Sequence, residues 1–234
     1  MSDYARLAQT LTDRLHLTRP PVAVAFRDSA PEGIARLEGS RPSGCTFWGM
    51  AADGRVFYTV PADHYNCPIG SYTHNIPLPP EREPELSKTL ALMGEIGYLR
   101  MEEVPGVPRL AKTPDVTVYA PLAATPVKPD VVILSGTPAG LMLLHEAATR
   151  IGAPAVPLLG RPTCMAIPAA MASGIASSLG CVGNRVYTGL SDEEFYSVVR
   201  GDTLAALMTE IDTITAANVM LSEYHRERLV TLTV

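Results

Sequence analysis

RPTCMAIPAAMASGIASSLGCVGNR, residues 161–185, is the stretch on which the fold turns. The 23 residues between its two arginines carry no formal charge, and two of the chain's four cysteines, Cys164 and Cys181, lie near its ends. Ala166, Ala170, Gly174 and Ser178 recur every four residues, so a helix here offers a small-residue face that another backbone can approach closely. With Met165 to Ile167 extended and a helix from Pro168 to about Leu179, the chain goes out and comes back. A 12-residue helix spans roughly 18 Å, so a straight path separates the two cysteines. Only a strand–helix return lets them share one buried cofactor.

Composition sets the frame. The chain has 234 residues, 47% hydrophobic and 18% charged, with a net charge of −5. That is apolar enough for a substantial core. It is too acidic for a nucleic-acid protein, whose phosphate contacts need a basic face. The first 15 residues, MSDYARLAQTLTDRL, lack the apolar core of a secretion signal. The uncharged run contains Pro168, Gly174, Gly180 and several serines and is too weakly apolar for a membrane span. The expectation is a soluble cytoplasmic protein, with no membrane and no nucleic acid as partner.

Working outward, the pattern predicts helices over residues 3–16 (capped by Ser2), 30–38, 84–96, 138–151 and 202–227. Strands are predicted at Val22–Phe26, Val116–Leu122, Val131–Leu134, Ala155–Leu158 and Asn184–Leu190, with Val131–Leu134 central in a parallel sheet. Asp53-Gly54 between Cys45–Met50 and Val56–Val60 reads as a hairpin turn that brings Cys45 near Cys67. Ser191-Asp192-Glu193-Glu194 reads as a capping box opening a helix. Leu204, Leu207, Met208, Ile211, Ile214 and Leu221 stripe the last helix, a core face or a homodimer face.

The fold class expected is α/β: a mixed sheet with flanking helices, a C-terminal helix and two pseudo-equivalent halves in a single domain over residues 1–234. The halves, about 20–100 and 129–200, share an order of features. Val22 to Phe26 precedes Arg41-Pro42-Ser43-Gly44-Cys45 and then Cys67-Pro68-Ile69-Gly70. Val131 to Leu134 precedes Arg161-Pro162-Thr163-Cys164 and then Cys181-Val182-Gly183.

No C-x-x-C pair is present, which disfavours zinc ribbons, thioredoxin motifs and bacterial ferredoxin runs. Phosphate-loop, dinucleotide and nucleophile-elbow motifs are absent, as is the C-x-x-x-C-x-x-C run of radical enzymes that use adenosylmethionine. Four cysteines from two halves suit an iron–sulfur cluster on Cys45, Cys67, Cys164 and Cys181, 4Fe-4S in preference to 2Fe-2S. Gly70, Gly180 and Gly183 free N–H groups to donate to sulfur, and Phe47, Trp48, Ile69 and Ile167 exclude water. A closed cluster transfers electrons or holds the fold. With three protein ligands, an open iron binds substrate and the fourth cysteine is a free thiol; redox chemistry, sulfur transfer or dehydration of a small molecule would follow. The alternatives are buried cysteines acting as small hydrophobes in a metal-free binding module, a zinc site, or redox thiols. The partner is an unidentified small molecule or an electron-transfer protein.

Asp63-His64 reads as an acid–base pair, and His64 and His74, flanking Cys67, are candidate acids or ligands. Arg161 and Arg185 border the neutral run and would clamp an anion or balance a cluster's charge. Asn66 and Asn184 lie beside the second cysteines. His16, His145 and His225 read as structural.

Six blocks together resemble the signature of domain-of-unknown-function family 169 (DUF169): Pro20–Val24, Cys45–Trp48, Phe57–Thr59, Asp63–Gly70, Gly160–Cys164 and Leu179–Arg185. The resemblance runs roughly from Pro20 to Gly201. It implies a single type of α/β domain and binds the cysteine blocks into a unit without naming an activity.

Overall fold

The computed structural model describes residues 4–153, 155–158 and 161–232. The Ser2 cap and Gly160 therefore lie outside the described residues. In chain order the regular elements are α1 (Tyr4–Leu15), β1 (Val22–Arg27), α2 (Cys45–Ala52), β2 (Phe57–Thr59), α3 (Pro68–Thr73) and α4 (Glu83–Glu95). Then come β3 (Val116–Pro121), β4 (Val131–Gly136), α5 (Pro138–Arg150), β5 (Val156–Leu158) and α6 (Ala166–Ser173). The chain closes with β6 (Ile175–Ser178), α7 (Val182–Thr188), β7 (Phe195–Arg200) and α8 (Leu204–Leu232).

Among the described residues seven strands form one mixed sheet in the order β2-β3-β1-β4-β7-β6-β5. The order outward from the centre is equivalent on both sides: β1-β3-β2 on one, β4-β7-β6 on the other. The central pairing is antiparallel and symmetric about Ala23 and Val132, with Val22 facing Ile133 and Val24 facing Val131. Beyond β6 lies β5, paired parallel, and beyond β2 lies a single parallel bridge between Arg36 and Tyr58. β4 is central, as its apolar run requires, but both its neighbours are antiparallel. A continuous apolar run reports burial on both faces and not strand direction.

Side chains alternate across the sheet. Ala23, Val132 and Leu134 face α1, α5 and the first part of α8, in a core with Leu11, Leu15, Leu144, Leu207 and Ile211. Val22, Val24, Val131 and Ile133 face α2 and α6, in a core with Phe47, Trp48, Ile167 and Ala170. All four cysteine blocks belong to this second face.

Four local expectations fail for identifiable reasons. Cys45–Ala52 is a helix and not the first arm of a hairpin. Asp53-Gly54 ends that helix: Gly54 N–H bonds Ala51 O, Arg55 N–H bonds Met50 O, and Gly54 takes φ +100°. These are the two bonds of a Schellman ending, which uses the same left-handed glycine as a hairpin turn. Phe57–Thr59 pairs instead with β3. Asn184–Leu190 lies mostly in α7, which stops at Gly189 with φ +64°. The Ser191–Glu194 bonds do form, Ser191 N–H to Glu194 Oε2 and Glu194 N–H to Ser191 O. They close a turn and no helix follows, because Phe195–Arg200 is held as a strand between β4 and β6. Residues 30–38 form a turn and the Arg36 bridge instead of a helix.

Candidate functional site

The opening stretch does return on itself, in the reverse order to that expected. A short 3-10 turn, Thr163–Met165, leads into α6; Gly174 at φ +97° ends it, and β6 carries the chain back to Cys181. A hydrogen bond from Cys181 N–H to the Thr163 hydroxyl ties the two ends together. The first half reaches a similar arrangement: Cys45 opens α2, β2 follows, and Cys67 comes next. Across the halves, α2 packs against α7 and α3 against the Thr163–Met165 turn. The elements that carry Cys45 and Cys181 thus meet, as do those that carry Cys67 and Cys164.

All four cysteines are free thiols, and they lie close enough that thiolates at any two of them would repel. Cys45 and Cys164 are each 6% exposed. Cys67 and Cys181 are half-buried and form the rim. Both rim cysteines cap short helices with sulfur. Gly70 N–H donates to Cys67 Sγ at 3.3 Å and Asn184 N–H to Cys181 Sγ at 3.4 Å, each three residues on. Gly70 thus has the role expected of it, and a Cβ there would lie 3.1 Å from the sulfur. In the second half that donor is Asn184, not Gly183.

Burial, then mutual repulsion, raises the pKa of Cys45 and of Cys164 far above the usual thiol value. Burial raises Cys67 as well, against N–H groups of Gly70 and Gly44 that lower it. Without a bound cation these are neutral thiols, so the positive end of the following helix does not make Cys164 a thiolate. A metal supplies the charge that would release those protons.

An enclosed cavity sits among Cys45, Cys67, Cys164, His64, His74, Trp48 and Tyr119. It admits the centre of about one water, ≈ 10 Å³. His64 and His74 are both buried, and burial lowers their pKa to about 3 and about 4. His64 Nε2 lies 2.9 Å from the Thr59 hydroxyl. His74 Nδ1 lies 3.0 Å from the Gly70 carbonyl, and its Nε2 is buried with no partner. The Asn184 amide approaches Cys45 and favours its thiolate, but neither amide atom makes a hydrogen bond of normal geometry. Asn184 is only 2% exposed.

Other candidates lie elsewhere. Asp63 and His64 do not act as a pair. The Asp63 carboxylate takes a two-pronged bond from Arg36 (2.9 and 3.2 Å) and one from Val60 N–H (2.8 Å), while His64 turns inward. Arg161 bonds Glu103 at 3.1 Å and lies over the Tyr98 ring. Arg185 is occupied by the carbonyls of Leu179, Ser191 and Glu194, tying the loop after α7 to the body. Among the described residues no three His, Cys, Asp or Glu side chains stand close enough to hold a single metal ion.

The DUF169 family model, described as an uncharacterised ArCR, matches residues 10–210. The chain belongs to the DUF169 family. A protein of Methanocaldococcus jannaschii, itself described as uncharacterized, is 28% identical over 200 residues, covering 80% of this chain and 84% of that protein. No solved structure matches. In this DUF169 protein the residues that sequence reading missed at the site are Tyr119, Thr59, Thr73 and Gly44. Tyr119 and Thr59 read as ordinary strand residues, and only the folded sheet carries them to the thiols.

Proposed function

We propose that this DUF169 protein binds an iron–sulfur cluster between two halves of a duplicated unit, anchored by thiols drawn from Cys45, Cys67, Cys164 and Cys181, either all four or three with the fourth free. The observation that carries the reading is the meeting of Cys45, Cys67 and Cys164, from three separate segments, around one enclosed cavity, with Cys181 tied in beside them through Thr163. The donor chemistry fits: soft thiols inside an apolar shell of Phe47, Trp48, Tyr119 and Ile167, with backbone N–H groups on two sulfurs. His74 Nε2 is buried without a partner and the Asn184 amide, beside Cys45, makes no hydrogen bond of normal geometry, and buried polar atoms are rarely left so. The cavity is smaller than a cubane, so loading requires the surrounding side chains to move apart. When bound, a cluster supplies one-electron transfer, or Lewis acidity at any iron without a protein ligand.

Anaerobically prepared protein is expected to be brown and to carry iron and acid-labile sulfide in comparable amounts. Cys45→Ser and Cys164→Ser are expected to lose both. Colourless protein that takes up neither after anaerobic reconstitution would sink the reading. A homodimer through α8 is a second, independent element of the proposal, supported by the exposed Val219, Met220, Leu221, Tyr224 and Leu229; light scattering would read one chain mass if it is wrong.

A further inference from the structure

The tautomer of His74 can be read from its neighbours. Its Nδ1 lies 3.0 Å from the Gly70 carbonyl oxygen, and a carbonyl only accepts. Nδ1 therefore carries the proton. The Thr73 hydroxyl gives its own proton to the same carbonyl at 2.9 Å and so offers a lone pair to Nδ1 at 3.1 Å. What remains on the ring is Nε2 with a bare lone pair, in a residue 4% exposed, with no donor to satisfy it. One ring nitrogen donating to a backbone carbonyl while the other stands bare is the arrangement of a metal-ligating histidine.

His64 differs. The Thr59 hydroxyl donates to Thr117 O at 3.4 Å and so accepts from His64 Nε2–H at 2.9 Å, and neither His64 ring nitrogen is buried without a partner as His74 Nε2 is. His74 borders the cavity together with Cys45, Cys67 and Cys164; Cys181 does not. Cys181 Sγ instead caps α7 at the half-buried rim.

We propose that His74 Nε2 is an iron ligand, completing a three-thiolate, one-imidazole set with Cys45, Cys67 and Cys164 and leaving Cys181 as a free thiol. The assignment rests on the cluster reading above. It also gives Cys181 the chemistry of an accessible thiol beside the cluster. Replacing one thiolate by a neutral imidazole removes a negative charge and raises the reduction potential.

The test is pulsed electron paramagnetic resonance on the full chain, reconstituted anaerobically and reduced with dithionite. The wild type should show the nitrogen coupling of a directly bound imidazole, converted to the ¹⁵N pattern when the protein is grown with ¹⁵N-histidine. The coupling should survive in His64→Gln and vanish in His74→Ala, and Cys181→Ser should keep the wild-type iron content. A reduced cluster without that coupling in the wild type overturns the assignment and leaves the cluster reading intact. So does a coupling lost in His64→Gln, or loss of the cluster in Cys181→Ser. If His74→Ala assembles no cluster, the labelled wild type and His64→Gln still decide. A chain that takes up no iron and sulfide overturns the cluster reading, and this assignment with it.

Discussion

His64 and His74 are buried without a carboxylate beside either ring, and this has a consequence for the metal-free protein. Burial disfavours the charged ring and holds their pKa near 3 and near 4, against about 6.5 in an unfolded chain. The folded state therefore keeps both neutral, while the unfolded state binds protons as pH falls below about 6.5. Linkage then makes stability rise with pH in this window. Their contribution is fully present above about pH 6.5 and is lost progressively as the pH falls towards 4. Urea unfolding of the metal-free chain at pH 7.5, 6 and 5 should give a falling midpoint, with a shallower fall in His64→Leu. A midpoint level across that range would contradict the assigned burial. At this scale residue type alone marks the cysteines and histidines as candidate donors, and the sequence also placed Gly70 beside a sulfur, where its N–H donates to Cys67. The Asp63–His64 pair was misread because adjacency in sequence says nothing about direction, and Asp63 finds Arg36 instead.

The elements divide into those that periodicity reveals and those that context decides. α1, α5 and α8 carry long apolar stripes and form where the spacing puts them. α2 and α7 do not: each is short, mixed in composition and closed by a glycine that would serve a turn equally well. Their helical state is settled by packing, which overrides local preference. One close approach is sharply testable. A Cβ at Gly140 would lie 2.0 Å from the Leu15 carbonyl oxygen, where the start of α5 meets the end of α1. Gly140→Ala should destabilise by about 1–3 kcal/mol, the usual range for overpacking, seen as a lower thermal midpoint; an unchanged midpoint would deny that contact. α8 behaves differently along its length. It is the one described helix long and apolar enough to cross a membrane by length and composition. Leu204, Leu207, Ile211 and Ile214 are nonetheless buried in the core, and residues 221–232 are all exposed. Covered by a second copy as proposed, residues 222–232 should add stability, so a chain ending at Leu221 is expected to show a lower thermal midpoint than the full chain. An unchanged midpoint would contradict the homodimer through α8.

At the scale of the whole molecule, the sheet's equivalent order on either side of β1 and β4 is what places two cysteine pairs opposite each other. The return of the chain between Cys164 and Cys181 was readable from the sequence, though the helix precedes the strand; the route by which Cys45 nears Cys67 was not, because the hairpin expected to bring them together is a helix. The antiparallel direction of the central strands was not, nor was the crossing of α2 onto α7, because both depend on contacts between segments more than 100 residues apart. The central claim concerns the species held at that crossing. The most direct measurement is a Mössbauer spectrum of the full chain reconstituted anaerobically with ⁵⁷Fe and sulfide. The account predicts quadrupole doublets of tetrahedral, sulfur-ligated iron coupled within a cluster, and their loss in Cys164→Ser. Isolated ferrous or ferric ions bound by nitrogen and oxygen, or the same spectrum in Cys164→Ser, would contradict it.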